Sequence, residues 1–264
     1  MSDVLVAVCA HADDAELNAG GTMAKWAAAG GRVHIVMVTN NCSGFLIPEN
    51  GDEAMKRRLG PAETTGLRHR EQDAAAALIG ANVHYLGYNQ RHYWNGSREV
   101  DIDYNGAENP PEGIAGHPQI LIACNLAAHI KRVADLLASL KPTLVLTQTP
   151  LDVDPEHHAV ASLVWQAFVA RPELQKVPLR FWTPSSGSPG GLLDPHYDHI
   201  EDISAFFDRK VALCACHASQ MTQRRRDIVQ RRAAYWGQAI GVAYAEPFRT
   251  AHWAEEAPQH PAGD

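Results

Sequence analysis

The chain has 264 residues, 45% hydrophobic and 20% charged, the profile of a folded globular protein and not of a disordered or fibrous one. Its 30 acidic against 23 basic residues give a formal charge of −7, which argues against a nucleic-acid or anionic-membrane surface, since both need a positive field. Five cysteines (Cys9, Cys42, Cys124, Cys214, Cys216) without repeated spacing argue against a disulfide framework, and no apolar run reaches the ~18 residues of a membrane span; the cytoplasm is the expected compartment.

Apolar runs of strand length alternate with helical patterns. Val4 to Ala10 reads as a buried strand, and a helix over Ala15 to Ala29 follows that Gly30-Gly31 stops. Arg32 to Thr39 is a second strand. "LRHREQDAAAALIG" is a second helix closing on Gly80, and "VHYLG" is a third strand. "PQILIACNLAAHIKRVADLLASL" reads as one long helix, and Thr143 to Thr149 as a fourth strand. "HHAVASLVWQAFVA" is helical, "LRFWTPS" is a fifth strand, and the tail from Ile203 to about Ile240 reads as helical throughout. The alternation predicts a single α/β domain over 1–250, Rossmann-like, three-layered and built on a mainly parallel sheet. Residues 251–264 have the composition of a flexible end.

Two long irregular segments, Tyr88 to His117 and Ser185 to His199, are rich in Gly, Pro, Asn, Asp and aromatics and are expected to shape a pocket rim. The basic run "QRRRDIVQRR", Gln223 to Arg232, reads as the solvated face of a helix. "CACH", Cys214 to His217, spaces its cysteines too closely for a usual zinc motif and reads as buried thiols on a helix.

The first strand runs out into His11, Asp13 and Asp14, and the fourth into "TPLDVDPEHHAV", with Asp152, Asp154, Glu156, His157 and His158. In a doubly wound sheet these strand ends are neighbours at the point where strand order reverses, the place where such folds bind ligands. Each cluster also has a plainer reading. Asp13 or Asp14 can cap the following helix, and Asp154-Pro155 reads as a cap followed by proline at the first helical position. His11 and His157 tilt the balance toward a divalent metal, because imidazole is a common metal ligand and has no capping role. No G-x-G-x-x-G turn and no G-x-S-x-G elbow accompanies these strands, which argues against a nucleotide-binding protein or a serine hydrolase.

At these residues the sequence resembles the PIG-L/LmbE-like family of zinc-dependent de-N-acetylases. "HADD" matches the family's opening His-Pro-Asp-Asp, with Ala12 in place of proline. "LRHREQDAAAALIGANVHYLGY" resembles its Arg-x-x-Glu helix, "KVALCACHASQ" its late His-x-Ser-Gln, and "AEPFR" its closing Glu-x-Phe. The resemblance implies zinc (Zn2+) held by His11, Asp14 and His157, and Asp13 as general base. It implies an N-acylated, most simply N-acetylated, sugar as substrate and a homo-oligomeric assembly. Arg68, Gln90 and His217 are the substrate-binding candidates it suggests; the alternative for Arg68 is a surface pair with Glu71. Asp154 stands where the family's His-Pro-Asp-His carries its first histidine, a catalytic position. Asp154 then points away and caps the next helix, is protonated, or is supplanted by another group, with His158, His217 and the long loops as sources. These departures also leave a non-catalytic metal- or sugar-binding relative as the rival reading.

Overall fold

A computed structural model of the chain describes residues 3–47, 55–103, 111–114, 116–184 and 197–253. Its central sheet has seven strands in the order β3-β2-β1-β6-β7-β9-β8. In chain order they are β1 (Val4–Cys9), β2 (Arg32–Thr39), β3 (Asn82–Tyr88), β6 (Leu144–Thr147), β7 (Leu179–Trp182), β8 (His199–Asp202) and β9 (Ala245–Thr250). A small antiparallel hairpin, β4 (His92–Trp94) and β5 (Glu99–Asp101), stands apart within the first irregular segment. The pairings from β3 across to β7 are parallel, while β7–β9 and β9–β8 are antiparallel.

The period-2 geometry of β1 explains the layering. Val4, Val6 and Val8 face one core with Val36, Val38, Val145 and the helices α4 (Ala127–Leu140) and α5 (Pro155–Ala170). Leu5, Ala7 and Cys9 face the other, with Ile35, Met37 and the helix α1 (Asp14–Ala28). A strand buried on both faces needs an unbroken apolar run, and "VLVAVC" supplies it. The helix α2 (Pro61–Ala77) covers the α1 side through Ala76. Within α1, Gly21 lies so close to Ile203 that an added Cβ would meet its side chain at 2.6 Å; only glycine permits that approach.

Several expectations change. The long helix after Pro118 is broken: a single turn, α3 (Ile120–Ala123), ends before Leu126, whose extended backbone precedes α4. The tail is not helical throughout. The helix α6 (Phe207–Ala215) and the helix α7 (Gln223–Ile240) are separated at Cys216–Thr222, and β8 and β9 close the sheet's edge. Ala251 and Trp253 pack on the core, Trp253 stacking on Trp165 and Phe168, so the folded region runs past 250; residues 254–264 lie outside the described set. Most of the second irregular segment, residues 185–196, lies outside it too. Among the described residues no helix is long and apolar enough to cross a membrane.

Candidate metal centre and its cavity

β1 pairs with β2 on one side and β6 on the other, so the strand order reverses between β1 and β6, and the two acidic segments open there into one cavity of about 390 Å³. His11, Asp13, Asp14, Arg68, Gln90, Asp154 and His157 all line it. His217 does not.

His11, Asp14 and His157 each offer a ligand atom, and these atoms lie within 4.8 Å of one another. His157 Nε2 is 3.3 Å from Asp14 Oδ1, and His11 Nδ1 is 3.1 Å from His157 Nε2. The outer nitrogen of each ring is anchored by a carboxylate: Glu156 Oε2 on His11 Nε2 at 2.5 Å, and Asp152 Oδ2 on His157 Nδ1 at 3.0 Å. This leaves the inner nitrogens turned toward Asp14, the arrangement in which metal-binding histidines are held. Asp14 is oriented in turn by the His11 amide at 2.8 Å and Gln148 Nε2 at 2.7 Å, both donating to Oδ2. The donor set suits a divalent cation of borderline character.

The same proximity sets the charges. Burial raises the Asp14 and Glu156 carboxyls, but the neighbouring rings outweigh it: Asp14 is lowered by His157 and His11, and Glu156 is held at about 2 by His11. Burial disfavours a charged His157, yet Asp14 and Asp152 hold its pKa well above the ordinary value. These carboxylates are ionised at neutral pH, the state that metal ligation requires.

Asp13 does not cap α1, for no side-chain cap bond forms at that position. Its backbone is left-handed, φ 105° and ψ −26°, a conformation costing about 1–3 kcal/mol for a non-glycine and held only where the surroundings over-determine it. The surroundings do so here. The Ala12 amide donates to Asn41 Oδ1 at 2.8 Å, Arg68 donates to the Ala12 carbonyl, and Arg68 and Arg225 each stand 3.5 Å from Asp13 Oδ2. The Ala12–Asn41 bond explains the departure at Ala12, because proline has no N–H to donate.

The remaining expected residues fall as follows. Asp154 takes the capping alternative: its Oδ1 accepts from the Glu156 amide at 2.9 Å at the start of α5. His158 is exposed and its Nδ1 faces the Pro150 carbonyl. His217 is corrected. It is 0% exposed, its Nε2 lies 3.3 Å from Glu16 Oε2, and it is not among the residues that line the cavity. Gln90 lines the cavity, but its amide is committed at both ends, donating to Glu156 Oε2 at 3.0 Å and accepting from the Ser43 amide at 2.7 Å. Arg68 does not pair with Glu71, which binds Ser219 instead; it holds the Asp13 turn. Cys214 is buried and its thiol is pushed up to about 12 by that burial, which fits the reading of a buried thiol on a helix; Cys216 is only partly buried.

Three features were not singled out from sequence. Gln148 and Asn41 have no motif to announce them. Glu156 was visible as an acid beside His157, and the rule that a ligating histidine needs a carboxylate on its other nitrogen could have marked it. The third is on α7: the basic run is not wholly solvated. Arg225, Ile228, Val229 and Arg232, spaced three to four residues apart on one helical face, line the cavity.

Comparison with known proteins agrees with this geometry. A sequence model of the PIG-L family, described as GlcNAc-PI de-N-acetylase, matches residues 6–168. A 1D-myo-inositol 2-acetamido-2-deoxy-alpha-D-glucopyranoside deacetylase of Mycobacterium sp. (strain KMS) is 27% identical over 246 residues, covering 83% of this chain and 74% of that protein. Two solved structures share the fold. They are the N,N'-diacetylchitobiose deacetylase of Pyrococcus horikoshii (TM-score 0.65, 19% identity, 95% and 84% of the two chains) and GalB, the 4-carboxy-2-hydroxymuconate hydratase of Pseudomonas putida KT2440 (TM-score 0.66, 21% identity, 95% and 97%). A deacetylase and a hydratase on one fold show that the fold alone does not choose the reaction. With more than half of its length matched by the family model, and with the motif residues gathered at one strand crossing, the chain belongs to the PIG-L family.

Proposed function

We propose that the protein is a metal-dependent de-N-acetylase that hydrolyses the acetamido group of an amino-sugar glycoside, with zinc as the metal. Membership of the PIG-L family and the deacetylase relatives support the reaction and the sugar class. The observation that carries the reading is the convergence of His11, Asp14 and His157 with Asp13 beside them in one cavity.

His11, Asp14 and His157 would hold the metal. When bound, it supplies a Lewis acid that lowers the pKa of water from about 15.7 toward 7. Asp13 takes the proton from the attacking water and returns it to the departing amine, a general base and acid in turn. Its left-handed turn aims the carboxylate into the cavity, and Arg68 fixes that aim through the Ala12 carbonyl and Oδ2. Glu156 and Asp152 hold the two imidazoles in register, and Gln148 holds Asp14. Asp154 acts through the fold, as the cap that starts α5 two residues before Glu156 and three before His157.

The test is amine release from N-acetylglucosamine glycosides by the metal-loaded protein, with and without a chelator, alongside elemental analysis. Chelator-sensitive release restored by zinc is expected. A metal-replete protein that releases amine from none of them overturns the reaction and leaves the non-catalytic reading in force.

A further inference from the structure

The α7 wall of the cavity points to a feature of the substrate. Resting on the deacetylase reading, we propose that the amino sugar carries an anionic substituent, a phosphate ester or a carboxylate, which Arg225 and Arg91 bind.

Acids outnumber arginines around this cavity, but most of their oxygens serve partners already described; the exception is Asp154, whose side chain stays 32% exposed with only Oδ1 engaged. Asp14 serves the His11 amide, Gln148 and His157; Glu156 serves His11, Gln90 and the Arg91 amide; Asp154 caps α5. The arginines divide differently. Arg68 is spent on Ala12 and Asp13, and Arg232 donates to Thr183 Oγ1 and the Pro184 carbonyl. Arg225 and Arg91 retain capacity. Among the described residues, the Arg225 guanidinium has a single ion pair, Nη1 to Asp13 Oδ2 at 3.5 Å, longer than a strong charge-assisted bond. Arg91 is braced at its inner end, with Nε 3.3 Å from Glu156 Oε1, while Nη2 reaches only to 4.0 Å from Asp154 Oδ1.

Both side chains are about one-third exposed, at 37% and 35%, on the lining of the same cavity. At these lengths neither contact is a strong charge-assisted bond, and the exposed end of each side chain stays solvated. Each guanidinium therefore keeps terminal N–H donors for an incoming oxyanion, and its planar fork matches phosphate and carboxylate oxygens alike. Arg225 is flanked on its helical face by Ile228 and Val229, and Leu17, Phe45 and Trp182 add apolar lining, a surface suited to the face of a sugar ring.

The experiment measures kcat/KM of the zinc-loaded enzyme on four substrates: N-acetylglucosamine, its 1-phosphate, its 6-phosphate, and N-acetylmuramic acid, which bears a carboxylate. At least one anionic substrate should exceed the neutral one by about 10- to 100-fold, the worth of a charge-assisted hydrogen bond, and its identity distinguishes phosphate from carboxylate. In Arg225→Gln that ratio should collapse toward one, and Arg225→Lys should restore part of it; Arg91→Gln should lower it in the same direction. The ratio is the decisive readout, since any loss of Asp13 alignment lowers all substrates together. Equal turnover of neutral and anionic sugars, or a uniform loss in Arg225→Gln with the ratio unchanged, overturns the proposal while the deacetylase reading stands. A second measurement is independent of catalysis: calorimetric binding of glucosamine 6-phosphate, glucosamine 1-phosphate and muramic acid against glucosamine. Stronger binding of an anionic amine, lost in Arg225→Gln, supports the anion site even if no acetamide is cleaved; equal binding of all four counts against it.

Discussion

Two histidine–carboxylate pairs flank the start of α1, with the same spacing and opposite fates. His157 Nε2 lies 3.3 Å from Asp14 Oδ1 and faces the cavity; His217 Nε2 lies 3.3 Å from Glu16 Oε2 and neither side chain has any exposure. The carboxylates are two residues apart on one helix, so they leave it in different directions: Asp14 toward the open end of β1 and Glu16 into the layer between α1, α2 and α6. Glu16 is tied to Gln72 at 2.7 Å, and nearby Lys210 binds Glu246 at 2.6 Å in the same sealed layer. Burial opposes the charge on both members, yet each partner outweighs it, lowering Glu16 and raising His217. Residue type and pair distance therefore do not make a site. A third ligand and access from solvent do.

The comparison breaks most sharply at Asp13. Asp13→Ala should lower kcat by about 10²- to 10⁴-fold while metal content stays at the wild-type level. His157→Ala should lose both activity and bound metal. Kinetics with elemental analysis separates the two outcomes; unchanged turnover in Asp13→Ala removes its proposed role.

The sealed pair should fail in the opposite way. His217→Ala leaves Glu16 buried without its cation, a cost of about 3–5 kcal/mol. For a chain of this size that corresponds to a Tm drop of about 10 °C, read by calorimetry, while the metal content of the folded protein is unchanged. A loss of metal without loss of stability would return His217 to the site.

Asp154 sharpens the boundary between the two. Asp154→Ala should cost about 1 kcal/mol through the lost cap, whereas Asp154→Asn, also a good cap, should keep stability. If capping is the role of Asp154, kcat in Asp154→Asn changes by less than about tenfold, or ~1.4 kcal/mol of barrier. A larger drop would show that the charge itself takes part.

The smallest effect belongs to a half-buried pair that does not line the cavity. His199 holds the Glu201 carboxyl at about 2 against partial burial, and Lys25 helps at 2.5 Å. A depressed carboxyl contributes stability that is present above its unfolded value of 4.5 and lost as pH falls toward 2. The Tm difference between wild type and Glu201→Gln should therefore be larger at pH 7 than at pH 3. Because the Lys25 side chain is 43% exposed, solvent screening limits the difference to about 1 kcal/mol. A difference that grows on acidification would contradict the assignment.

What was legible in sequence follows from what local periodicity encodes. "VLVAVC" and "RVHIVMVT" must be strands buried on both faces, and the α/β alternation then places the ends of β1 and β6 side by side, as the structure shows. That topology brings the cluster at His11 to the cluster at His157, and the family resemblance picks His11, Asp14 and His157 out of the two. The two antiparallel strands were not legible: "HIED" at the sheet's edge and "AEPFRT" beside it carry charges and a proline and lack the alternation or the unbroken apolar run that marks a strand. Nor was the break at Cys124–Leu126, which neither Pro nor Gly marks.

Sequence by itself determined the parallel strands β1, β2, β3, β6 and β7, the alternation of helices between them and the chemical types that meet at the strand crossing, because hydrophobic period and residue identity are local properties. Tertiary structure alone decided that His217 is sealed, that Asp154 spends its carboxylate on a helix start, and that Arg225 leaves the solvated side of α7 for the cavity wall. Exposure is a collective property of packed layers, and residues from distant segments have to close over a side chain before its role exists.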